Sequence, residues 1–269
     1  MRPINEISGA EAAGIRYVLM DIDDTLTTGG KLPVSSYSAL WSLKKAGLKV
    51  LPVTGRPAGW CDCIARQWPV DAVIGENGAL VFWEETQESG LPVLKAIYNP
   101  NAVKNNHQAL RRVRQRALAE VPGLRDAKDQ FARLFDIALD FAEEEPALPL
   151  SAAARVKAIA EEEGATAKIS SIHVNVWMGN YDKLSMAENF LASRYGWNPN
   201  EKTSDGEVLF VGDSPNDEPM FSRFPLSCAV ANINRYRDHI KQFPAFVSSK
   251  ECGDGFADIA RAVLAFRKP

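Results

Sequence analysis

A buried strand that runs directly into a cluster of acidic residues most constrains how this chain can fold. The apolar segment Tyr17–Met20 is followed at positions 21–27 by DIDDTLT, so three carboxylates lie just beyond the end of the strand. In an open α/β sheet, the functional groups lie at the carboxyl ends of the strands. Neighbouring carboxylates raise one another's pKa, and a divalent metal ion is the simplest compensation. The feature therefore predicts an α/β fold with a cation site at this edge.

Three further segments carry polar groups suited to the same edge. The apolar residues 208–211 lead into GDSPND at 212–217, and residues 48–53 lead into TGRP at 54–57. Lys183 follows the break GNYD at 179–182 and opens a helical stretch. Strands that alternate with helices imply parallel pairing. These three groups are therefore expected to lie beside the first acidic cluster.

The segment between the second and third of these groups has a different pattern. Residues 85–90 are typical of a hairpin turn, and residues 101–120 and 151–163 have helical patterns. Residues 133–141 and 172–177 alternate apolar and polar side chains, which is typical of strands. We therefore predict an inserted α+β domain at 85–180 and a core formed by 1–84 and 181–269.

The sequences DIDDTLT, VTGR, the lysine of YDKLS and GDSPND resemble, in this order, the four motifs of the haloacid dehalogenase (HAD) superfamily of phosphotransferases. The place of the insertion and the sequence ENGA at 76–79 are similar to the C2B cap subgroup. That subgroup includes sucrose-phosphate, trehalose-phosphate and mannosyl-phosphoglycerate phosphatases. The resemblance implies a Rossmann-like core with a parallel sheet and an inserted α+β cap domain of the C2 type.

The resemblance also assigns roles to individual residues. It implies that Asp21 is the nucleophile that forms an aspartyl-phosphate and that Asp23 is the general acid and base. Thr54 is expected to donate a hydrogen bond to a phosphoryl oxygen, and Lys183 to offset the excess of carboxylates. Together these residues would split one difficult phosphoryl transfer into two easier steps.

Magnesium is the cofactor that the resemblance implies. It would be held by Asp21, Asp213 and the backbone carbonyl of Asp23, because Mg²⁺ prefers hard oxygen ligands and keeps several waters. Asn216 and Asp217 are expected to orient the groups around the ion. For Asp217, a cap at a helix N-terminus is as good an interpretation as direct ligation of the metal.

Substrate specificity is expected to come from the cap, because the core motifs handle only the phosphoryl group. On the strand 172–177, one face carries polar and aromatic side chains that are suited to the leaving group. The candidate substrate contacts are Arg56, Asn77, His173, Asn175 and Trp177, with Asp136 and Asp140 as possible companions. The competing interpretation is that the polar faces of both cap strands are simply solvated.

Composition limits the partners. The chain of 269 residues is 46% hydrophobic with a net charge of −3, which allows a real core and gives no general attraction to nucleic acid or anionic membrane. No apolar run approaches the roughly 20 residues needed to cross a bilayer, and no secretion signal is recognisable. We expect a cytoplasmic protein with a small phosphorylated substrate; the sequence leaves its oligomeric state open.

The sequence thus predicts a Mg²⁺-dependent phosphomonoester hydrolase, with a sugar phosphate as the expected substrate. One alternative is a sugar phosphomutase of the same superfamily, which would need a cap rich in arginine; only Arg125 and Arg133 precede predicted cap strands. The other is a catalytically silent binding module, which the four intact motifs disfavour.

Overall fold

The computed structural model describes residues 1–267 and shows β-sheets covered by helices. The strands are β1 Arg2–Pro3, β2 Tyr17–Met20, β3 Lys49–Pro52, β4 Val73–Gly75, β5 Leu80–Thr86, β6 Pro92–Tyr98, β7 Arg125–Asp126, β8 Asp136–Asp140, β9 Thr166–Ile169, β10 His173–Trp177, β11 Val208–Gly212, β12 Leu226–Ala229 and β13 Phe246–Val247. The α-helices are α1 Gly9–Gly14, α2 Val34–Lys45, α3 Ala58–Gln67, α4 Gln108–Glu120, α5 Leu150–Glu162, α6 Lys183–Tyr195, α7 Lys202–Asp205, α8 Glu218–Arg223 and α9 Cys252–Leu264. Within residues 1–267, none of these helices has the length and apolarity to span a membrane.

The largest sheet has six parallel strands in the order β1-β13-β12-β11-β2-β3. All four residues of β2 are buried: Val18 and Met20 join one apolar cluster, and Tyr17 and Leu19 join another. Alternate residues of a strand point to opposite faces, so this sheet is covered on both sides. The predicted α/β class with a parallel-sheet core is confirmed.

Strand β3 ends the six-stranded sheet at Pro52, which is compatible with an edge strand because proline has no N–H to donate. The next residue, Val53, forms an isolated parallel bridge with Ile74 of β4. Strand β4 pairs with β5, and β5 pairs with β6, both in antiparallel fashion. The predicted domain boundary at residue 84 therefore falls inside β5, since this hairpin extends a sheet that begins in the core.

A separate antiparallel sheet has four strands in the order β7-β8-β10-β9. Its apolar face, including Leu139, Val174 and Val176, packs with residues of α4 and α5 in a separate cluster. We call the unit formed by α4, α5 and β7–β10 the cap. Helix α4 begins later than the predicted residue 101, because the side chain of His107 accepts a hydrogen bond from the amide of Ala109 and caps it there.

Candidate active site

Asp21 and Asp213 follow neighbouring strands of the parallel sheet. Met20 of β2 is in register with Val211 of β11, and the Asp21 amide donates a hydrogen bond of 2.9 Å to the Val211 carbonyl. Both carboxylates are buried, and side-chain oxygens of Asp21, Asp213 and Asp217 lie within 4.8 Å of one another. The two most distant motifs in the sequence thus meet at one sheet edge.

Lys183 supplies the positive charge inside this cluster. Its Nζ lies 2.7 Å from Asp21 Oδ1 and 3.0 Å from Asp217 Oδ1. It is the first residue of α6, where a cation is unfavourable for the helix dipole. Burial lowers the pKa of Lys183, but the two carboxylates outweigh that effect and leave the pKa raised. The ammonium therefore stays charged and holds two of the acidic side chains together.

The cluster nevertheless carries an excess of carboxylates. Burial raises the pKa of Asp21 to about 7; Lys183 opposes the rise, and Asp217 adds to it. Burial, followed by repulsion from Asp217 and Asp21, raises the pKa of Asp213 well above its usual range. A bound cation would relieve the repulsion between these buried carboxylates.

The ligand atoms of Asp21 and Asp213 suit a hard divalent cation. Asp213 Oδ1 accepts from Thr25 Oγ1 at 3.2 Å, and its Oδ2 accepts from Asn232 Nδ2 at 3.1 Å. Each carboxylate oxygen can take a further contact. In residues 1–267, Asp21 Oδ2 makes no hydrogen bond, whereas Oδ1 is held by Lys183. Two oriented carboxylates with spare lone pairs fit Mg²⁺.

Asp217 is engaged in a different way. Its Oδ1 binds Lys183, and its Oδ2 accepts hydrogen bonds from the amides of Asp213 and Ser214. With Ser214 it forms a capping box on the short 3-10 helix Pro215–Asp217. Asp217 thus holds the loop that presents Asp213 with one oxygen and Lys183 with the other, which is the geometry of an orienting residue. Asn216 lies in the same turn, where its Oδ1 accepts from Ser214 Oγ at 2.7 Å.

Asp23 is paired with Arg56. The guanidinium donates from Nε to both carboxylate oxygens, at 3.1 and 2.9 Å, and from Nη2 to Oδ1 at 2.8 Å. The same guanidinium contacts Asp129 at 3.2 Å and Glu143 at 2.9 Å, and it lies over the Trp60 ring. Arg56, a candidate substrate contact, is thus placed among carboxylates from both core and cap. The pairing makes Asp23 part of an ionic bridge between the two.

Thr54 and Asn77 lie at the turn after β3 and β4. Thr54 is fully buried, and its Oγ1 accepts a hydrogen bond of 3.1 Å from the amide of Arg56. The Asn77 amide donates to the Thr54 carbonyl at 3.1 Å, and its Nδ2 lies 3.3 Å from Asp136 Oδ2 in the cap. Asn77 has a φ of 56°, a left-handed conformation that asparagine tolerates better than most residues. Asn77 therefore links the second motif to the cap.

The polar face of the cap sheet is buried against the core. His173, Asn175 and Trp177 are each at most 3% exposed, as are Asp136 and Asp140. The interpretation of this face as simply solvated is therefore wrong, because the core covers it. Two of these candidate substrate contacts have partners within the protein: His173 Nε2 lies 2.8 Å from Glu143 Oε2, and the Trp177 ring stacks on Tyr181.

Asn175 lies directly over the second motif. A Cβ on Gly55 would stand 2.4 Å from Asn175 Nδ2, so any larger residue here would displace the Asn175 side chain. The Asn175 Oδ1 is buried and has no hydrogen-bond partner among the residues described. An unpartnered buried acceptor at this place is available to a ligand.

Sequence reasoning missed Glu76, whose carboxylate joins core and cap. It is fully buried and accepts four backbone hydrogen bonds, from the amides of Ala58, Leu134, Phe135 and Asp136, at 2.7–3.1 Å. These contacts hold the segment before β8, which explains why the strand begins at Asp136 and not at the predicted residue 133. The local signal was an acidic residue directly after β4, in the sequence ENGA, which the sequence analysis interpreted only as a mark of the cap subgroup.

Comparison with known proteins identifies the family of this chain. The family model of the haloacid dehalogenase-like hydrolases matches residues 18–122 and 125–259. The chain belongs to this family. The predicted superfamily is thereby confirmed, as is the expectation of an enzyme of the hydrolase class.

Solved structures share the fold of this HAD-like hydrolase. A Thermoplasma acidophilum protein is 22% identical with a TM-score of 0.66 and covers 94% of this chain and 98% of its own. The sucrose-phosphatase of Synechocystis sp. PCC6803 is 15% identical (TM-score 0.59; coverage 93% and 97%). A sugar phosphatase of HAD subclass IIB is 16% identical (TM-score 0.62; coverage 93% and 98%). No curated protein sequence matches the chain.

The buried carboxylates predict how the metal-free protein responds to pH. Burial raises the pKa of Asp21 and of Asp136 to about 7, far above the value of about 3.9 in an unfolded chain. Between these values the folded state binds more protons than the unfolded state, so stability falls as pH rises. We therefore expect the midpoint of thermal unfolding in EDTA to decrease from about pH 5 to about pH 8.

Magnesium and one variant test the origin of this effect. Added Mg²⁺ should raise the unfolding temperature most at the upper end of the range, because it binds the ionised carboxylates of the folded state. The Asp21→Asn protein should show a shallower decrease with pH. A metal-free protein whose stability is constant or rises over this range would contradict the proton linkage.

Proposed function

We propose that this HAD-like hydrolase is a Mg²⁺-dependent phosphomonoesterase that acts through a phosphorylated Asp21. The supporting observation is the buried cluster in which Lys183 holds Asp21 at 2.7 Å beside Asp213. Family membership and fold similarity to a sucrose-phosphatase and to a subclass IIB sugar phosphatase favour the same chemistry. We propose residues 1–84 and 181–269 as the catalytic core and 85–180 as the inserted domain, which contains the cap.

In the first half-reaction, the carboxylate of Asp21 attacks the phosphorus atom. A bond forms between Asp21 and phosphorus, the bond to the leaving oxygen breaks, and Asp23 gives that oxygen a proton. Thr54 and Lys183 hold phosphoryl oxygens and stabilise the charge that they carry. Mg²⁺, held by Asp21, Asp213 and the carbonyl of Asp23, would supply additional positive charge to the phosphoryl group.

In the second half-reaction, water replaces the aspartyl group. Asp23 takes a proton from a water molecule whose oxygen attacks phosphorus, and the bond to Asp21 breaks. Inorganic phosphate leaves, and the carboxylate of Asp21 is regenerated. Asn216 and Asp217 would act by keeping the loop of Asp213 and the ammonium of Lys183 in place.

Movement of the cap is the route that we propose for entry of the substrate. The cavity beside Lys183 and Asn216 has a volume of about 10 Å³, which is room for roughly one water molecule. Arg56 also occupies both oxygens of Asp23, and Asp129 and Glu143 of the cap hold Arg56. We propose that opening of the cap removes these two carboxylates, admits the substrate and allows Asp23 to turn towards the leaving oxygen.

A small phosphorylated metabolite, and a sugar phosphate in particular, is the proposed substrate. His173, Asn175 and Trp177 bring amide, imidazole and aromatic groups to the face of the cap that meets the core, which suits a leaving group with hydroxyls. Asn77 and Arg56 would complete this region on the core side.

The four cysteines are free thiols, which is in keeping with a reducing compartment such as the cytoplasm.

The structure gives less support to the phosphomutase alternative. A mutase would need cap cations for the second phosphate of its activator. Arg133 is instead paired with Asp129 and Asp136, and Arg125 is paired with Asp140. Because their carboxylate partners already neutralise these two arginines, we favour hydrolysis.

A phosphate-release assay tests the proposed function. Purified protein is incubated with a panel of phosphorylated sugars and other small phosphomonoesters, in parallel with Mg²⁺ and with EDTA. We expect release of inorganic phosphate only with Mg²⁺, and fastest from a sugar phosphate. If no compound releases phosphate, the hydrolase proposal fails, and isomerisation primed with a sugar bisphosphate becomes the next assay.

A further inference from the structure

Lys168 is a cap residue to which the motifs assign no role. We propose that it is a phosphoryl-binding residue, contributed by the cap to the anion site of the core. The inference rests on the proposed phosphatase function, and it adds a cation that no motif of the core contains.

The position of Lys168 on its strand directs it towards the core. Its neighbours on β9, Ala167 and Ile169, pack into the apolar cluster between the cap sheet and the cap helices. Because side chains alternate along a strand, Lys168 lies on the opposite face. That face is the polar one, and Lys168 is in register with Asn175 of β10, which lies over Gly55.

Lys168 lines the same small cavity as the catalytic lysine. The lining includes Lys183, Asn77 and Asn216 from the core and Lys168 from the cap. Among the residues described, Lys168 forms no hydrogen bond and no salt bridge, although it is partly buried. The carboxylate in the lining, Asp182, is engaged elsewhere, because it caps α6 by accepting from the amide of Ser185 at 2.7 Å.

Two features of this cavity point to an anion. Lys183 is already held by the carboxylates of Asp21 and Asp217, whereas Lys168 has no charged partner among the residues described, so its ammonium group is left to offset the charge of an anion. Asn77 and Asn216 add side-chain amides, which can donate to phosphoryl oxygens. The adjoining acidic cluster would be neutralised by Mg²⁺, whereas the dianionic phosphoryl group brings its own charge into the site. A cation that arrives with the cap would offset that charge when the site closes.

The test compares Lys168→Met, which keeps the length of the side chain without its charge, with Lys168→Arg, which keeps the charge. The probe is inorganic phosphate, titrated calorimetrically into the Mg²⁺-loaded protein, together with kcat and KM on the substrate panel. We expect Lys168→Met to weaken phosphate binding and to lower kcat/KM by about 10- to 100-fold, as for one lost charge-assisted hydrogen bond. Lys168→Arg should recover part of both, and circular dichroism should show both variants folded.

The matched control is Lys128→Met, which removes an exposed lysine of the cap segment that pairs with Glu144. It should leave both readouts unchanged. If wild type releases phosphate and Lys168→Met matches it, the inference is wrong and the phosphatase proposal stands. A loss confined to substrates with a second anionic group also overturns the inference, because Lys168 would then bind the leaving group. If wild type releases no phosphate, the function fails; phosphate binding that still depends on Lys168 would preserve the anion site alone.

Discussion

The Asp21→Asn protein is expected to fold normally and to lose roughly 10⁴-fold or more of its phosphatase activity. An amide oxygen is a poor nucleophile and cannot form the aspartyl-phosphate on which the two-step mechanism depends. Asparagine has nearly the shape of aspartate and can still accept a hydrogen bond from Lys183, which now lies 2.7 Å from Asp21 Oδ1. The change therefore removes the reacting atom with little effect on packing.

Asp24→Asn is the matched control for this prediction. It makes the same change in the same acidic loop. Asp24 is held there through its backbone, which has a left-handed conformation and whose carbonyl accepts a hydrogen bond from Asn232. We expect it to retain activity within about one order of magnitude, since it removes no reacting group. Initial rates of phosphate release and thermal unfolding curves should be recorded for both variants. Near-normal turnover by Asp21→Asn would rule out the covalent mechanism.

The core of the site could be predicted because its signals are local. Four apolar residues followed by acids, as at Tyr17–Met20, are the pattern expected where a buried parallel strand ends. Adjacent parallel strands then bring their ends together, so Asp21 and Asp213 meet without any need to predict individual contacts. The order of the four motifs along the chain, which is also read directly from the sequence, identified the superfamily.

The contacts between cap and core could not be predicted, because they join residues far apart in sequence. Alternation around Asp136 and Asp140 is the usual pattern of a strand with one solvated face. Here that face is buried. Its two carboxylates tolerate burial because Arg133 neutralises Asp136 and Arg125 neutralises Asp140. Glu76 gives no periodic signal, although its carboxylate binds four amides. In this chain, the polar face of the cap sheet is the one that packs against the core.

Arg133→Met is expected to lower the free energy of unfolding by about 3–5 kcal/mol. Arg133 is buried, and its guanidinium lies 3.1 Å from Asp129, 2.9 Å from Asp136 and 2.9 Å from the carbonyl of Gly55. Methionine fills much of the same volume but leaves the buried carboxylate of Asp136 without its cation. Chemical unfolding at about pH 8 measures the loss.

Arg116→Met is the control, because Arg116 is also an arginine of the cap with several ion pairs, to Glu120, Glu162 and Glu163, but at the surface. Ion pairs at the surface contribute little, so this variant should lose far less stability than Arg133→Met. Equal losses in the two variants would show that burial does not decide the strength of these pairs.

The pH dependence of the Arg133→Met protein separates loss of charge from loss of packing. Burial already raises the pKa of Asp136 to about 7 against the opposing effect of Arg133, so without Arg133 the pKa should rise further. Near pH 5 the carboxyl group can then stay protonated and neutral in the folded state, whereas near pH 8 folding must bury a charge or take up a proton. The destabilisation should therefore be clearly smaller at pH 5 than at pH 8. A loss that is the same at both values would mean that Arg133 acts through packing and that its charge contributes little to stability.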